Sequence, residues 1–376
     1  MNKTNNIPTL RFPEFKGNWE MKKLGEMCDN ISSGKDKPND GNQFPVFGSM
    51  GIIGYSDKYA YQNKTILIAR VGANAGALNI ADGKFGVTDN TLVIKIDYSI
   101  DIYFLFYRLT FENLNKLVFG SGQPLITAGQ LKNIEIPIPT LAEQEKIANF
   151  LTAVDEKIQA LKKKKSLLEN YKKGLMQKLF SQTLRFKDEH GKDFVDWEVK
   201  KGNKIFESIS DKDHNSDLPI LAISQEFGAV PRELINYQIS VTDKSVESYK
   251  VVDIGDFIIS LRSFQGGIEY SKYKGICSPA YVILRNTIPI NHIFFKYYLK
   301  TDLYIQKLCE KLEGIRDGKM ISYKYFSEID LPYPSLAEQT KIANFLSSID
   351  DKIDHCQTSI INYERWKKGL LQRLFV

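Results

Sequence analysis

One block of residues occurs twice in this chain. Leu141-Ala142-Glu143-Gln144, followed by Lys146-Ile147-Ala148-Asn149-Phe150-Leu151, returns 195 positions later as Leu336-Ala337-Glu338-Gln339 and Lys341-Ile342-Ala343-Asn344-Phe345-Leu346. Aligned without gaps, residues 134–180 match residues 329–375 at 24 of 47 positions, while the segments before each copy share only scattered anchors. The repeat implies two globular halves in one chain of 376 residues, each long enough to bury its own core.

Each copy opens on a strand-like run in which prolines are expected to end the strand, residues 134–139 (IEIPIP) and 329–334 (IDLPYP). Thr140 and Ser335 then stand in N-cap positions with Glu143 and Glu338 three residues on, the spacing of a capping box. Beyond it Ile147, Leu151, Val154, Ile158, Leu161, Lys165, Leu168, Lys172, Leu175 and Leu179 recur at alternating spacings of four and three, a heptad seam. Ile342, Leu346, Ile349, Ile353, Cys356, Ile360, Tyr363, Lys367, Leu370 and Leu374 repeat it. The first helix ends where the second insert begins and the second starts where that insert ends, so the two are expected to pack antiparallel. About forty residues give a rod of roughly 60 Å, with a pseudo-twofold axis and the C-terminus back beside the first half. Heptad helices can be scaffolding alone. Yet Glu143, Gln144, Lys146, Asn149, Asp155, Lys157, Lys172 and Lys173 recur as Glu338, Gln339, Lys341, Asn344, Asp350, Lys352, Lys367 and Lys368, more polar identity than a self-packed seam requires. A partner touching both copies alike accounts for it.

The inserts are weakly akin. Leu10-Arg11-Phe12 and Trp19-Glu20 are answered by Leu184-Arg185-Phe186 and Trp197-Glu198. Residues 65–70 (TILIAR) and 256–262 (DFIISLR) read as strands ending in arginine, followed by Gly-containing turns at 71–76 and 263–267. Strand-like stretches at 91–96 and 280–284 follow, then one amphipathic helix in each half, about 102–118 and about 291–312, and a loop at 120–124 or 313–319. The fold class is α/β (α+β): two mixed α/β domains and two long helices. The loops align in position and differ in side chains, as expected of two readers with different specificities or of surface loops that have drifted.

Hydrophobic content of 43% and charged content of 26% belong to a soluble globular chain. No apolar run approaches the roughly 18 to 20 residues of a membrane span, and residues 1–11 carry no apolar signal region, so the expected location is the cytoplasm with no membrane contact. Cys28, Cys277, Cys309 and Cys356 stand singly and His190, His214, His292 and His355 are isolated, so neither a metal set nor a catalytic histidine is indicated. A net charge of +6 favours a polyanionic partner without requiring one.

The two proline-then-Leu-Ala-Glu-Gln blocks, the long helices and residues 45–55 (PVFGSMGIIGY) closely resemble the specificity (S) subunit of type I restriction-modification systems. The resemblance covers essentially the whole chain; the duplicated helix start is its most specific element. Residues 48–55 have no evident counterpart in the second half, which suggests that the halves come from different recognition-domain lineages. The resemblance implies target-recognition domains at 1–139 and 183–334 and conserved helical spacers at 140–182 and 335–376. It implies a DNA-specificity subunit reading one half of a bipartite double-stranded target with each domain. Two methyltransferase subunits would dock on the helices and two restriction/translocase subunits would join them. S-adenosylmethionine, ATP and Mg2+ would belong to those partners, with no cofactor in this chain. A stand-alone DNA-binding regulator and a coiled-coil interaction scaffold are the alternatives.

The sequence itself carries no Gly-x-x-x-x-Gly-Lys-Ser/Thr loop, no Asn-Pro-Pro-aromatic element and no Gly-x-Gly-x-x-Gly turn, so no enzymatic site is expected. Asp350-Asp351-Lys352 falls on a helix and reads as a solvated face. For DNA, Arg70 and Arg262 end strands at matching places, as groove readers or as salt-bridged surface arginines. Asn74, Gln123, Gln265, Arg316 and Lys319 sit in loops expected to face the duplex, and Lys35, Lys37, Lys272 and Lys324 are candidate phosphate contacts. Tyr323 would pack on a sugar or on its own loop. The run of residues 162–165 (KKKK) is a solvated helix face or an attractor for spacer phosphates. Partner docking is expected at Glu143, Gln144, Lys146 and Asn149 and at Glu338, Gln339, Lys341 and Asn344.

Overall fold

The computed structural model describes residues 7–375 apart from 98, 121–123, 215–216, 236–245, 262 and 311–320, and leaves out the side chains of 264 and 266. Two compact units divide the chain, residues 1–164 with 356–376 and residues 165–355. Both boundaries fall inside the long helices, Leu141–Phe180 and Leu336–Leu374. Each unit therefore holds one insert, the start of the helix that follows it and the end of the other helix.

In the first unit a four-stranded antiparallel sheet runs in the order Cys28–Ser33, Thr91–Ile96, Thr65–Ala69, Leu78–Ala81. Its central strand 65–69 is buried at every position, as its unbroken apolar run predicts. A second sheet orders Gly51–Ser56, Phe44–Gly48, Lys84–Val87 and Tyr61–Gln62, with Val46 parallel to Gly86. The helix Ile102–Glu112 starts on Asp101, whose carboxylate accepts from Phe104 N at 2.8 Å. It ends at Asn113 in a left-handed conformation, and a 3-10 turn Leu114–Leu117 takes up the rest of the expected helix.

The second unit repeats this topology with other residues. Its four-stranded sheet orders Phe206–Ile209, Val282–Asn286, Phe257–Ile259 and Glu269–Tyr270. A hairpin, Leu221–Ser224 with Gly228–Pro231, bridges in parallel from Ile220 to Ile276, beside the pair Lys250–Val252 and Gly275–Cys277. The hairpin at residues 44–56 thus has a structural counterpart in the second half, contrary to the sequence comparison; shared backbone pairing survives where side chains have not. The expected helix at 291–312 is two helices, His292–Tyr298 and Asp302–Glu310, because Thr301 Oγ1 accepts from Tyr304 N at 3.2 Å and restarts the helix there.

The strands before the long helices end at Ile138 and Tyr333, directly before Pro139 and Pro334 as expected, but the earlier proline of each run does not stop them. Pro137 pairs with Met21 and Pro332 with Val199 inside two-stranded ladders, where no third strand asks for the missing N–H. Nor does the capping box form in full: Ser335 Oγ accepts from Glu338 N at 3.3 Å, while Glu143 and Glu338 turn their carboxylates away, into the units.

The seam positions are buried or half-buried throughout, and the helices pack antiparallel within each unit. Asp155 meets Lys367 at 2.6 Å and Lys162 meets Glu364 at 2.7 Å in the first unit; Lys172 meets Asp350 at 2.5 Å in the second. The two Asp–Lys pairs are the same pair displaced by the repeat. Tyr107 donates to Asp155 Oδ2 at 2.8 Å, and Tyr297 donates to Asp350 Oδ2 at 2.6 Å. Burial first, and then the neighbouring aspartate, hold both phenols above the usual tyrosine range. Asp350 is accordingly an interhelical partner rather than part of a solvated face. At the chain end, Leu10 N donates to Arg373 O at 2.8 Å, and Phe375 packs against Trp19 and Phe104 with ring centroids 6.4 and 5.6 Å away. Phe180 holds the equivalent place against Phe294 at 5.4 Å.

Candidate nucleic-acid interface

The candidate reading residues of the first unit converge at one end of its four-stranded sheet. Antiparallel order brings the end of strand 65–69, the start of 91–96 and the end of 28–33 to that end. Arg70 follows Ala69 directly: its N–H donates to Asn90 O at 2.9 Å and its Nη1 to Asp89 O at 3.3 Å, leaving the guanidinium partly exposed. Asn74 is exposed on the turn 72–76, which Gly76 closes at φ 91; a Cβ there would lie 2.7 Å from Asn115 N. Lys35 and Lys37 are exposed on the segment 34–39, which is fixed by Gly34 N to Thr91 O at 3.0 Å, Asp36 N to Val87 O at 2.9 Å and Asn39 N to Tyr55 O at 3.0 Å. Three cations and an amide thus share one edge, a pattern suited to phosphate and base-edge contact.

Sequence reading assigned no role to the element between them. The hairpin Phe44–Gly48 with Gly51–Ser56 is tied to the same edge by Ser49 Oγ donating to Asn90 O at 2.9 Å and Thr88 N donating to Phe47 O at 2.9 Å. Nothing in the string of letters says that this hairpin lies beside Arg70.

In the second unit the corresponding end of the sheet, after Ile259 and before Val282, opens a groove of about 800 Å3 lined by Leu221, Ser224, Phe227, Arg232, Ser260 and Tyr281. Gln265 is exposed on the short helix Ser263–Gly266 beyond Ser260. Arg262, Arg316 and Lys319, like Gln123 of the first unit, lie outside the described residues. Three other candidates are not brought to this end. Lys272 follows strand 269–270 at the opposite end of the sheet, since Tyr270 pairs with Phe257 and Ser271 N donates to Asp256 O. Tyr323 spends its hydroxyl on Phe206 O at 2.9 Å, which anchors it to its own unit rather than leaving it for a sugar. Lys324, exposed beside it on the helix Tyr323–Ser327, shares that location.

Half of the candidate docking residues are structural instead. Glu143, 1% exposed, accepts from Arg11 Nε and Nη2, both at 2.8 Å, and from Trp19 Nε1 at 3.3 Å. Glu338, fully buried, accepts from Arg185 Nε at 3.2 Å and Nη2 at 3.1 Å. These hydrogen bonds raise both arginines above their ordinary values. Gln144 Oε1 accepts from Asp101 N at 2.9 Å and its Nε2 donates to Pro139 O at 3.0 Å. Gln339 does the same to Asn291 N and Pro334 O, each at 2.8 Å. Their retention follows from fixing each helix start to its insert; a buried carboxylate and amide require every one of these partners. Lys146, Asn149, Lys341 and Asn344 are exposed on the same helix starts. Lys146 lies 3.3 Å from Glu14, and Lys341 donates to Lys187 O at 2.6 Å.

Among the described residues no group of three or more His, Cys, Asp or Glu is arranged to hold a metal ion, and no helix is long and apolar enough to cross a membrane. His292 Nε2 donates to Asn286 Oδ1 at 2.9 Å, and burial lowers its pKa.

Residues 16–170 and 192–362 match the family model of the type I restriction modification DNA specificity domain. The chain is 28% identical over 406 residues to the type I restriction enzyme MjaVIII specificity subunit of Methanocaldococcus jannaschii, covering 97% of this chain and 93% of that one. It is 22% identical over 386 residues to the EcoDI specificity subunit of Escherichia coli, covering 92% and 84%. In fold it is similar to the crystal structure of a type I restriction-modification S subunit from M. genitalium, with a TM-score of 0.64 at 20% identity over 98% of this chain and 99% of that chain.

Proposed function

The chain belongs to the type I restriction modification DNA specificity domain family, and on that premise we propose that it is the DNA-recognition subunit of a type I restriction-modification complex, each unit reading one half of a bipartite double-stranded target. The observation that carries the reading is the contrast between frame and edge. The ties Arg11–Glu143, Gln144–Asp101 and Lys367–Asp155 recur as Arg185–Glu338, Gln339–Asn291 and Lys172–Asp350. Around the sheet ends the side chains differ beyond the matched arginines of the sequence, Arg70 and Arg262: Lys35 and Asn74 stand in the first unit, Gln265, Phe227 and Arg232 in the second. A protein that must be held identically by two copies of one partner, yet read two different sequences, needs this division.

Catalysis belongs to other subunits. Two methyltransferase subunits dock on the exposed faces of the two helix starts, at Lys146 and Asn149 and at Lys341 and Asn344, and two restriction/translocase subunits join through them. S-adenosylmethionine serves the methyltransferase; ATP and Mg2+ serve the translocase. The complex works in the cytoplasm. Lys35, Lys37 and Arg70 contact phosphates and groove edges in the first half-site, and Gln265 contributes in the second.

Reconstitution tests this. Co-expressed with its methyltransferase subunit, the chain is expected to co-purify as a complex that methylates DNA at one bipartite site. A chain that binds no methyltransferase, or a complex that methylates nothing, contradicts it. Sequence-specific DNA binding by the chain alone would favour a stand-alone regulator.

A further inference from the structure

The hairpins beside the two reading edges end in exposed apolar side chains. In the first unit Gly48 pairs with Gly51 across a two-residue turn, Ser49-Met50, and Met50 is 74% exposed at its tip. A bulge sets Phe47 opposite Ile52 and leaves Ile53 out of register, so Ile52 and Ile53 both stand out beside the turn, 53% and 54% exposed. Gly48 is what permits this, because a Cβ on it would fall 2.9 Å from Ile53 Cγ2. In the second unit Ser224 pairs with Gly228 across Gln225-Glu226-Phe227, and Phe227 is 55% exposed. The same hairpin thus carries an exposed apolar residue twice, with a different residue each time.

Apolar groups gathered at one tip mark a contact surface, and the surroundings indicate its kind. Asn39 N donates to Tyr55 O, which fixes the segment bearing Lys35 and Lys37 along one side of the hairpin. Asn90 O receives both Ser49 Oγ and Arg70 N, which fixes Arg70 close to the turn. An apolar point on the same edge as cations matches a duplex, where the cations meet phosphates and the point meets base pairs. Proteins that bend DNA insert Met, Ile, Leu or Phe between base steps in this way.

We propose that Met50, supported by Ile52 and Ile53, is a wedge that enters double-stranded DNA at the half-site of the first unit and unstacks one base step, and that Phe227 does the same in the second. The inference rests on the DNA-reading role above. Specificity then includes the ease of unstacking, which pyrimidine–purine steps favour, beyond direct contact with base edges.

The test uses the chain assembled with its methyltransferase subunits and duplexes of its methylation-mapped site, each carrying 2-aminopurine at one position. A fluorescence rise is expected at one step in each half-site. Met50→Ala should abolish the rise in the first half-site only, Phe227→Ala in the second only, and Met50→Leu should retain it. Binding of every duplex without a rise, or a rise untouched by Met50→Ala, overturns the wedge while leaving the DNA-reading role intact. Weaker association with the methyltransferase subunit in Met50→Ala, with an unchanged signal, also overturns it by assigning the tip to that partner. No binding by the wild-type complex removes the DNA-reading role itself.

Discussion

Glu143 shows how differently one residue reads in sequence and in structure. Its repetition at Glu338 was legible, and so was its place three residues past an N-cap, but both signals pointed outward, to a cap or to a partner. The fold sends the carboxylate inward to Arg11 and Trp19, residues more than 120 positions away in sequence. No local spacing rule reaches that far. The repeated Arg11 and Trp19 anchors, answered by Arg185 and Trp197, were the only sequence sign of it. Removing one partner of a buried pair strands the other, so Glu143→Ala is expected to destabilise the first unit by about 3–5 kcal/mol. Lys146→Ala and Asn149→Ala should leave stability within about 0.5 kcal/mol and weaken association with the methyltransferase subunit. Thermal denaturation beside a pull-down separates these effects; an Ala variant of Glu143 as stable as the parent contradicts the anchoring role.

At the scale of elements, the periodic parts were the legible ones. Seam residues from Ile147 to Leu179 and from Ile342 to Leu374 fall on the buried side, since a heptad pattern states which face turns inward. The antiparallel arrangement followed from chain order and is visible in the pairs Asp155–Lys367 and Lys172–Asp350. Breaks were less legible. Proline within a two-stranded ladder and the restart of a helix at Thr301 depend on neighbours that the segment does not contain. Each Asp–Lys pair shares its aspartate with a tyrosine, so the pair is more than a surface contact. Lys367→Asp should lower the melting temperature by opposing Asp155, and adding Asp155→Lys should recover part of the loss. The coupling is expected at about 0.5–3 kcal/mol in a double-mutant cycle. Additive losses would mean that the pair does not join the helices.

For the whole molecule, the repeat announced two halves, and the units follow it with the helices shared between them. What the sequence hid was the likeness of the two hairpins. The hairpin of the second unit matches that of the first strand for strand, yet the motif around Gly48 is absent there. Backbone pairing is set by alternation and turn geometry, which many sequences satisfy, whereas the reading side chains at the sheet ends are free to differ. This is why direct readout is the least legible property of the chain. In the proposed reading it depends on a few positions, with Arg70, Asn74 and Gln265 as candidates, whose neighbours are assembled only by folding.

The central claim is that each unit reads its own half of the target on a common frame. The most direct measurement exchanges residues 20–132 for the equivalent segment of another member of the family and maps methylated bases genome-wide in cells carrying the methyltransferase subunit. The account predicts a new first half-site joined to an unchanged second one. A change in both halves, or in neither, would contradict it.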